Sequence, residues 1–207
     1  MNTDEEQVEQ LKTWLKQNGL SIVLGIVIGV GGLSGYRYWI HLQETAAEEA
    51  SAHYSQMLTA LSAKEYAEVQ TRARLLIDEY AKTEYALLAR LALAKSHVER
   101  DEFDPAQEFL QQVVDAGAQQ PLGYLARTRL AALQLQTDRL DSALATLAID
   151  FPEEFAARAA ELRGDIYARQ GRVGDAIEAY RAAQQASPGP ADLEFLQRKM
   201  DDLGNRS

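Results

Sequence analysis

The chain has no cysteine, which excludes disulfide bonds and thiolate chemistry. It has three histidines, His41, His53 and His97, and none of them has a second histidine at metal-ligand spacing. The sequence also lacks the H-E-x-x-H, G-x-S-x-G and Walker motifs of common hydrolases and nucleotide-binding enzymes. We therefore expect that the protein is not an enzyme and has no catalytic residues, no metal site and no cofactor.

Basic residues are scarce, because 21 Lys and Arg residues stand against 31 Asp and Glu residues and give a net charge of −10. A chain this acidic is a poor candidate for a nucleic-acid partner, since phosphate charge dominates that affinity. Strand patterns are also nearly absent. Ala, Leu, Glu, Gln and Arg dominate instead, and apolar residues recur at three- and four-residue spacings. The sequence therefore predicts an all-α protein.

Residues 17–36 contain no charged side chain. A helix rises about 1.5 Å per residue, so about 20 residues cross the hydrocarbon core of a bilayer, which is about 30 Å thick. Tyr36, Tyr38 and Trp39 end the run like an interfacial aromatic belt, and Arg37 is able to reach the lipid head groups. We predict a transmembrane helix at residues 20–40, with the lipid bilayer as a partner.

A cleaved secretory signal is the main alternative for this segment. Signal peptides have a shorter apolar region, which is followed closely by small residues at the cleavage site. Here bulky residues follow the apolar run, and the next small residues, Ala46 and Ala47, come too late. We therefore expect an uncleaved anchor that tethers residues 41–207 to a membrane.

The segment before the anchor, residues 1–19, has an amphipathic pattern. Its apolar residues fall on one helical face: Val8, Leu11, Trp14 and Leu15. This pattern predicts a short helix lying at the membrane surface, with Trp14 as an interfacial anchor and a helix break at Asn18-Gly19. A partly disordered tail is the alternative.

Three glycines of the predicted anchor, Gly25, Gly29 and Gly32, are spaced four and three residues apart and so share one helix face. Small residues let a second membrane helix approach closely, and this face is therefore a candidate for helix packing. The alternative is that glycine is simply common in membrane helices.

The basic residues around the anchor bear on its orientation. Lys12 and Lys16 precede the anchor, and Arg37 follows it. By the positive-inside rule, two residues against one favour a cytoplasmic N-terminal segment and an exported C-terminal domain, by a small margin.

The rest of the chain contains a helical repeat, whose clearest unit is residues 157–190. Seven of its residues stand at the offsets of a tetratricopeptide repeat (TPR): Gly164, Tyr167, Gly171, Ala176, Tyr180, Ala183 and Pro188. We expect the small residues to let the paired helices approach, the tyrosines to fill the space between them, Gly171 to support the turn and Pro188 to end the second helix. The unit departs from the TPR pattern at Ala160 and Arg163.

Weaker copies of this unit precede it. They predict a divergent first pair at residues 44–80, a longer loop near residues 116–121 and a capping helix at residues 191–203. We expect Asp104, Asp141 and Asp175 to cap the second helices of their pairs. The predicted fold is all-α: one transmembrane helix, then a TPR-like right-handed α-superhelix of about four helix pairs plus a C-terminal capping helix.

The chain as a whole resembles the ancillary SecYEG translocon subunit family of Gram-negative bacteria, of the YfgM type. The resemblance is carried by Asn18-Gly19, by the sequence VIGVGGLSGYRYW at residues 27–39, and by the helix pairs. It implies a cytoplasmic N-terminus, one inner-membrane helix and a periplasmic TPR-like domain. It also implies three partners: the SecYEG translocon, a membrane-anchored prolyl-isomerase-like chaperone (PpiD), and unfolded or nascent exported proteins.

Two functions remain open from the residues. In the first, the tethered domain binds protein partners or emerging substrates in its groove and, as the resemblance implies, passes them to periplasmic chaperones. In the second, it is a scaffold or regulator that binds one constant partner and never touches substrate.

Overall fold

The computed structural model describes residues 4–186 and 189–204, and these ranges contain helices and no strand. The helices are α1 (Asp4–Ser62), α2 (Tyr66–Asp78), α3 (Glu84–Val98), α4 (Phe103–Ala116), α5 (Pro121–Gln136), α6 (Leu140–Thr146), α7 (Glu153–Arg169), α8 (Val173–Ala186) and α9 (Pro190–Gly204). The predicted all-α class is confirmed. Pro188, which was expected to end α8, lies outside the described residues.

The chain divides into two units, one ending at Glu49 and the other beginning at Ala50. The first unit is the N-terminal part of α1, and it contains the uncharged run. The predicted helix break at Asn18-Gly19 is wrong, because α1 continues through both residues. The amide of Asn18 donates a hydrogen bond of 3.0 Å to the Trp14 carbonyl oxygen within the same helix. One glycine costs a helix only about 1 kcal/mol relative to alanine, which the flanking helical residues offset.

The second unit is a stack of four helix pairs and a terminal helix. The C-terminal part of α1 pairs with α2, and the following pairs are α3 with α4, α5 with α6, and α7 with α8. The last helix, α9, packs on α8 and covers its apolar face with Leu196, Met200 and Leu203. The predictions of about four pairs and a capping helix are confirmed.

One turn geometry recurs in all four pairs. The turn holds a residue with a left-handed backbone: Lys64, Asp101, Asp138 and Gly171, with φ of 58°, 58°, 59° and 73°. The next amide then donates to a carbonyl five residues back, as from Glu65 to Ala60 (2.9 Å) and from Arg172 to Tyr167 (2.9 Å). These hydrogen bonds close each first helix in a Schellman motif. The repeat is therefore a structural one, although only the last pair has glycine at this place.

The aspartates expected to cap the second helices do not do so. The N-cap residues of α4 and α6 are Glu102 and Arg139, neither of which makes a side-chain capping bond. Asp104, Asp141 and Asp175 instead lie in the first helical turns. After each left-handed turn residue, a single residue precedes the second helix of the pair. The aspartates therefore lie within the first turn of that helix, where their negative charge still interacts favourably with the positive end of the helix dipole.

The loop between α4 and α5 lies where the longer inter-repeat spacing predicted it. Gly117 and Gly123 meet at this loop, and a β-carbon on Gly123 would lie 1.8 Å from the Gly117 carbonyl oxygen. Only a residue without a side chain fits this contact, so Gly123 fixes the approach of the third pair to the second.

Candidate functional site

The segment Val23–Ser62 includes the one stretch, among the residues that the structure describes, that is long and apolar enough to cross a membrane. Its most apolar window of 18 residues has a mean hydropathy of 1.3, and none of that window is buried. The window therefore meets the length and composition requirements of a bilayer span.

The three glycines of the candidate packing face, Gly25, Gly29 and Gly32, lie exposed on α1. A β-carbon added to any of them would meet no atom within 4 Å. None of the residues that the structure describes therefore requires glycine at these positions, and their backbone is open to a second helix.

The proposed interfacial residues are also exposed on α1: Trp14, Tyr36, Arg37, Tyr38 and Trp39. Tyr36 and Trp39 lie one helical turn apart, with their ring centres 6.3 Å from each other. This placement leaves the rings available to a lipid interface.

The repeat residues of the last pair form one packed unit between α7 and α8. A β-carbon on Gly164 would lie 2.4 Å from Cε1 of Tyr180, so the glycine makes room for the ring. Tyr180 is 3% exposed, and its hydroxyl donates a hydrogen bond of 2.7 Å to Asp165 Oδ1. Ala176 and Ala183 are fully buried beside it.

Tyr167 and Gly171 lie at the turn end of the same pair, where α7 leads into α8. The Tyr167 ring is half-buried, and the Arg172 guanidinium lies 4.3 Å above its centre in a cation–π contact. Gly171 is the left-handed turn residue, with φ of 73° and no neighbour within 4 Å of an added β-carbon.

Arg163, which departs from the TPR pattern, has a structural role that the motif does not predict. Helix α6 has seven residues, half the length of α4 and α8. The Arg163 guanidinium donates to the carbonyl oxygens of Leu147 (2.6 Å) and Ile149 (3.3 Å), just beyond the end of this short helix. The arginine therefore satisfies carbonyl groups that a longer helix would have paired internally.

Lys199 of α9 holds the capping helix on α7. Its ammonium group donates to Glu161 Oε1 at 2.8 Å and to both oxygens of Asp165, at 2.7 and 3.0 Å. Burial raises the pKa of Glu161, but hydrogen bonds from Lys199 and Arg158 outweigh it and hold that pKa below its ordinary value of 4.5. The charged carboxylate thus stabilises the fold above about pH 4.5, and this contribution is lost as the pH falls through the lowered pKa.

A pocket of about 550 Å³ opens between α3, α4 and α5. Its walls are mostly aliphatic: Leu91, Ala94 and Val98 of α3, Leu110 of α4, and Ala132 and Leu133 of α5. Lys95, Glu99, Arg129 and Gln136 are the polar residues that line it. The sequence motifs did not identify this pocket, because the TPR pattern marks residues that pack and not residues that the packing leaves uncovered.

The histidines bear on the expectation of no metal site. His97 lies on α3, stacked on Phe109 with ring centres 5.5 Å apart, and its Nδ1 is 2.6 Å from Glu102 Oε2. In the described ranges 4–186 and 189–204, no three His, Asp or Glu side chains gather in a way that would hold a metal ion. His97 therefore serves the packing of the second pair.

Comparison with known proteins finds one matching family model and several relatives that cover nearly the whole chain. Residues 12–205 match the family model described as a tetratricopeptide repeat-like domain. A Haemophilus influenzae protein named "Ancillary SecYEG translocon subunit" is 34% identical over 95% of each chain. The proteins of the same name from Escherichia coli K12 and Aggregatibacter actinomycetemcomitans are 32% and 30% identical over 97% of this chain, and over 96% and 97% of their own lengths.

Proposed function

Since the chain belongs to the TPR-like family of ancillary SecYEG translocon subunits, we propose that it is a non-enzymatic protein of the bacterial inner membrane that associates with the SecYEG channel. The names of its relatives support the association, and the apolar part of α1 supports a membrane location. The face formed by Gly25, Gly29 and Gly32 is the proposed contact with neighbouring membrane helices.

The proposed arrangement is that of a single-pass type II protein. Residues 1–19 are cytoplasmic, residues 20–40 cross the bilayer, and residues 41–207 form the periplasmic domain. Lys12 and Lys16 before the span, against Arg37 after it, support this direction. The exposed aromatic residues at the end of the run support a helix that stays in the membrane after export.

The TPR-like domain binds protein partners or emerging substrates and passes them to periplasmic chaperones, among them a membrane-anchored chaperone of the PpiD type. The observation that carries this role is the aliphatic pocket between α3 and α5, which lies open on the helix stack. Tethering a domain beside the channel raises its effective concentration there, so a weak affinity for passing chains suffices.

A scaffold with one constant partner is the second candidate. One well-defined pocket with charged residues at its rim is also what a single partner surface would use. On this reading the domain holds another protein near the channel and does not contact the translocating chain.

Site-specific photo-crosslinking in native membranes tests the function. A crosslinking residue replaces Gln136, which is exposed at the pocket, and a matched control replaces Gln185, exposed on α8. Crosslinks from position 136 to many exported chains, together with recovery of translocon subunits, support the first role. Crosslinks to one constant protein support the scaffold. Absence of any translocon subunit from the recovered material contradicts both.

A further inference from the structure

The pocket between α3 and α5 differs from ordinary apolar surface because of the charge at its rim. Lys95 and Glu99 partly neutralise each other, with Nζ and Oε1 3.8 Å apart. Glu99 also accepts a hydrogen bond of 3.3 Å from the Tyr66 hydroxyl. Arg129 is exposed at the opposite wall, and no ion pair to it is found among the residues that the structure describes. The rim therefore carries an uncompensated positive charge in a chain whose net charge is −10.

Arg129 also lies close enough to Tyr54 to act on its ionisation. Burial raises the pKa of the Tyr54 hydroxyl, and the nearby positive charge of Arg129 opposes that rise. Tyr54 lies against Tyr85, with ring centres 5.6 Å apart. Both tyrosines are half-buried.

We propose that the pocket takes an apolar side chain of an extended protein segment, and that an acidic side chain of the same segment pairs with Arg129. The chemistry is complementary on both counts. Burying an aliphatic side chain against Leu91, Val98 and Leu133 removes apolar surface from water on both partners. A carboxylate supplies the partner that Arg129 does not find within the described part of the chain, and arginine binds carboxylates in a bidentate geometry.

The spacing of the two side chains follows from the geometry of an extended chain. Side chains two residues apart point to the same side of a strand, so an apolar and an acidic residue in that relation face the pocket together. The preferred segment therefore carries an aliphatic residue and an aspartate or glutamate two positions apart. This inference rests on the proposed function, because it names the class of segment that the domain binds.

Binding of labelled peptides to the full chain in phosphatidylcholine nanodiscs tests the proposal. The probe is a fluorescein-labelled Gly/Ser peptide with Leu and Glu two positions apart at its centre. One matched peptide has Gln for Glu, and another has Ser for Leu. Fluorescence anisotropy should show that the Leu/Glu peptide binds about two- to fivefold more tightly than the Leu/Gln peptide, with the difference shrinking at high salt. The peptide with Ser in place of Leu should bind more weakly than the Leu/Gln peptide.

Two substitutions and one control substitution locate the effect. Arg129→Gln should abolish the preference for Glu over Gln, while Arg181→Gln, the same change at an exposed site on α8, should leave it intact. Ala132→Leu fills the pocket from a half-buried position and should weaken both leucine peptides about equally. Circular dichroism of each variant confirms that the fold is kept.

The proposal is overturned if all three peptides bind alike, if none binds at about 1 mM protein, or if Arg129→Gln leaves the preference unchanged. It is also overturned if Ala132→Leu breaks up a self-associated form of the chain, because the occupant would then be a second copy. Each of these results is compatible with recovery of translocon subunits in the crosslinking experiment, on which the proposed function depends. Absence of translocon subunits with the peptide preference retained would instead contradict the proposed function.

Discussion

Gly164 and Tyr180 form the tightest contact in the repeat that the TPR pattern identified. The ring of Tyr180 occupies the space where a β-carbon on Gly164 would lie, and its hydroxyl is held by Asp165. The ring therefore cannot move aside without losing a hydrogen bond in a buried place. Gly174, on the neighbouring helix, has no such contact, since nothing lies within 4 Å of its added β-carbon.

We expect Gly164→Ala to destabilise the domain by about 1–3 kcal/mol, because the added methyl group overpacks the crossing of α7 and α8. Gly174→Ala is the matched control, and it should be neutral or stabilise by up to about 1 kcal/mol, since alanine is the better helix former. Thermal and urea unfolding followed by circular dichroism give both values. Equal stabilities for the two variants would show that the ring and the glycine do not form the contact described.

Tyr180 should also be recognisable by its ionisation. Burial and the hydrogen bond to Asp165 raise the pKa of Tyr180 well above its ordinary value of 10.0. The neutral hydroxyl therefore stabilises the fold below about pH 10, and this contribution is lost as the pH rises above that value. Alkaline unfolding of the last pair is the expected consequence.

The chain has nine tyrosines, so a spectrophotometric titration of the wild type and Tyr180→Phe separates this one. Below the pH of unfolding, the two proteins should give the same tyrosinate absorbance, because Tyr180 does not ionise while it is buried. If the variant lost one tyrosine's share of the absorbance near pH 10, the burial and the hydrogen bond would be absent in solution.

Some single-residue roles follow from sequence and others do not. The TPR offsets predict small residues and rings at fixed places, because helix pairing imposes those sizes locally. They do not predict that Lys199 bonds Asp165, since that partner lies 34 residues away and the bond depends on how α9 packs against α7. Gly123 was missed for the same reason: its contact with Gly117 depends on how two pairs meet, which no local pattern records.

At the scale of helices and turns, the turns of the four helix pairs have the same geometry. The sequence signal for this turn is clear only at Gly171, because Lys64, Asp101 and Asp138 adopt the same left-handed backbone, and residues other than glycine adopt it too rarely to predict it. The opposite failure occurs at Asn18-Gly19, where a typical turn dipeptide lies inside α1. A single glycine costs a helix only about 1 kcal/mol, so one turn dipeptide does not end a helix whose flanking residues are good helix formers.

Helix α6 provides a prediction at this scale. Arg163→Leu brings the sequence closer to the TPR pattern, yet we expect it to destabilise the domain by about 1–3 kcal/mol. The reason is that the Ile149 carbonyl group loses the arginine as its donor, and the carbonyl group of the fully buried Leu147 keeps only the Ile149 amide, at 2.9 Å. Free energies of unfolding from urea titrations measure the loss.

The matched control is Arg169→Leu, also on α7. Among the described residues, the Arg169 side chain bonds Asp138 alone, at 3.1 Å, and both side chains are more than half exposed, so this change should cost about 1 kcal/mol or less. A neutral or stabilising Arg163→Leu would mean that these carbonyl groups do not need the guanidinium donor, and that the arginine does not stabilise the end of α6.

At the scale of the whole molecule, the proposed function depends on a membrane helix that packs beside others. We expect the double substitution Gly25→Leu and Gly29→Leu to leave membrane insertion intact but to lower the recovery of translocon subunits in mild detergent. Leucine side chains keep two helix backbones apart, whereas an apolar exchange does not hinder insertion. Co-purification followed by quantitative immunoblotting measures the recovery.

The control is the double substitution Val27→Leu and Val30→Leu. Both valines are exposed, at 60% and 61%. By the rotation of about 100° per helical residue, they lie on the face of α1 opposite to the three glycines. Recovery should be unchanged in this control. If the recovery of translocon subunits fell equally in both double variants, or in neither, the glycine face would not be the packing surface.

The most direct test of the whole account is protease accessibility in spheroplasts with an intact inner membrane. An uncleaved type II anchor predicts that residues 41–207 are digested from outside, while a tag at the N-terminus stays protected until the membrane is opened. N-terminal sequencing of the mature chain should return a start ahead of the uncharged run. A C-terminal domain protected by the inner membrane, or a mature chain that begins after Trp39, would contradict the account.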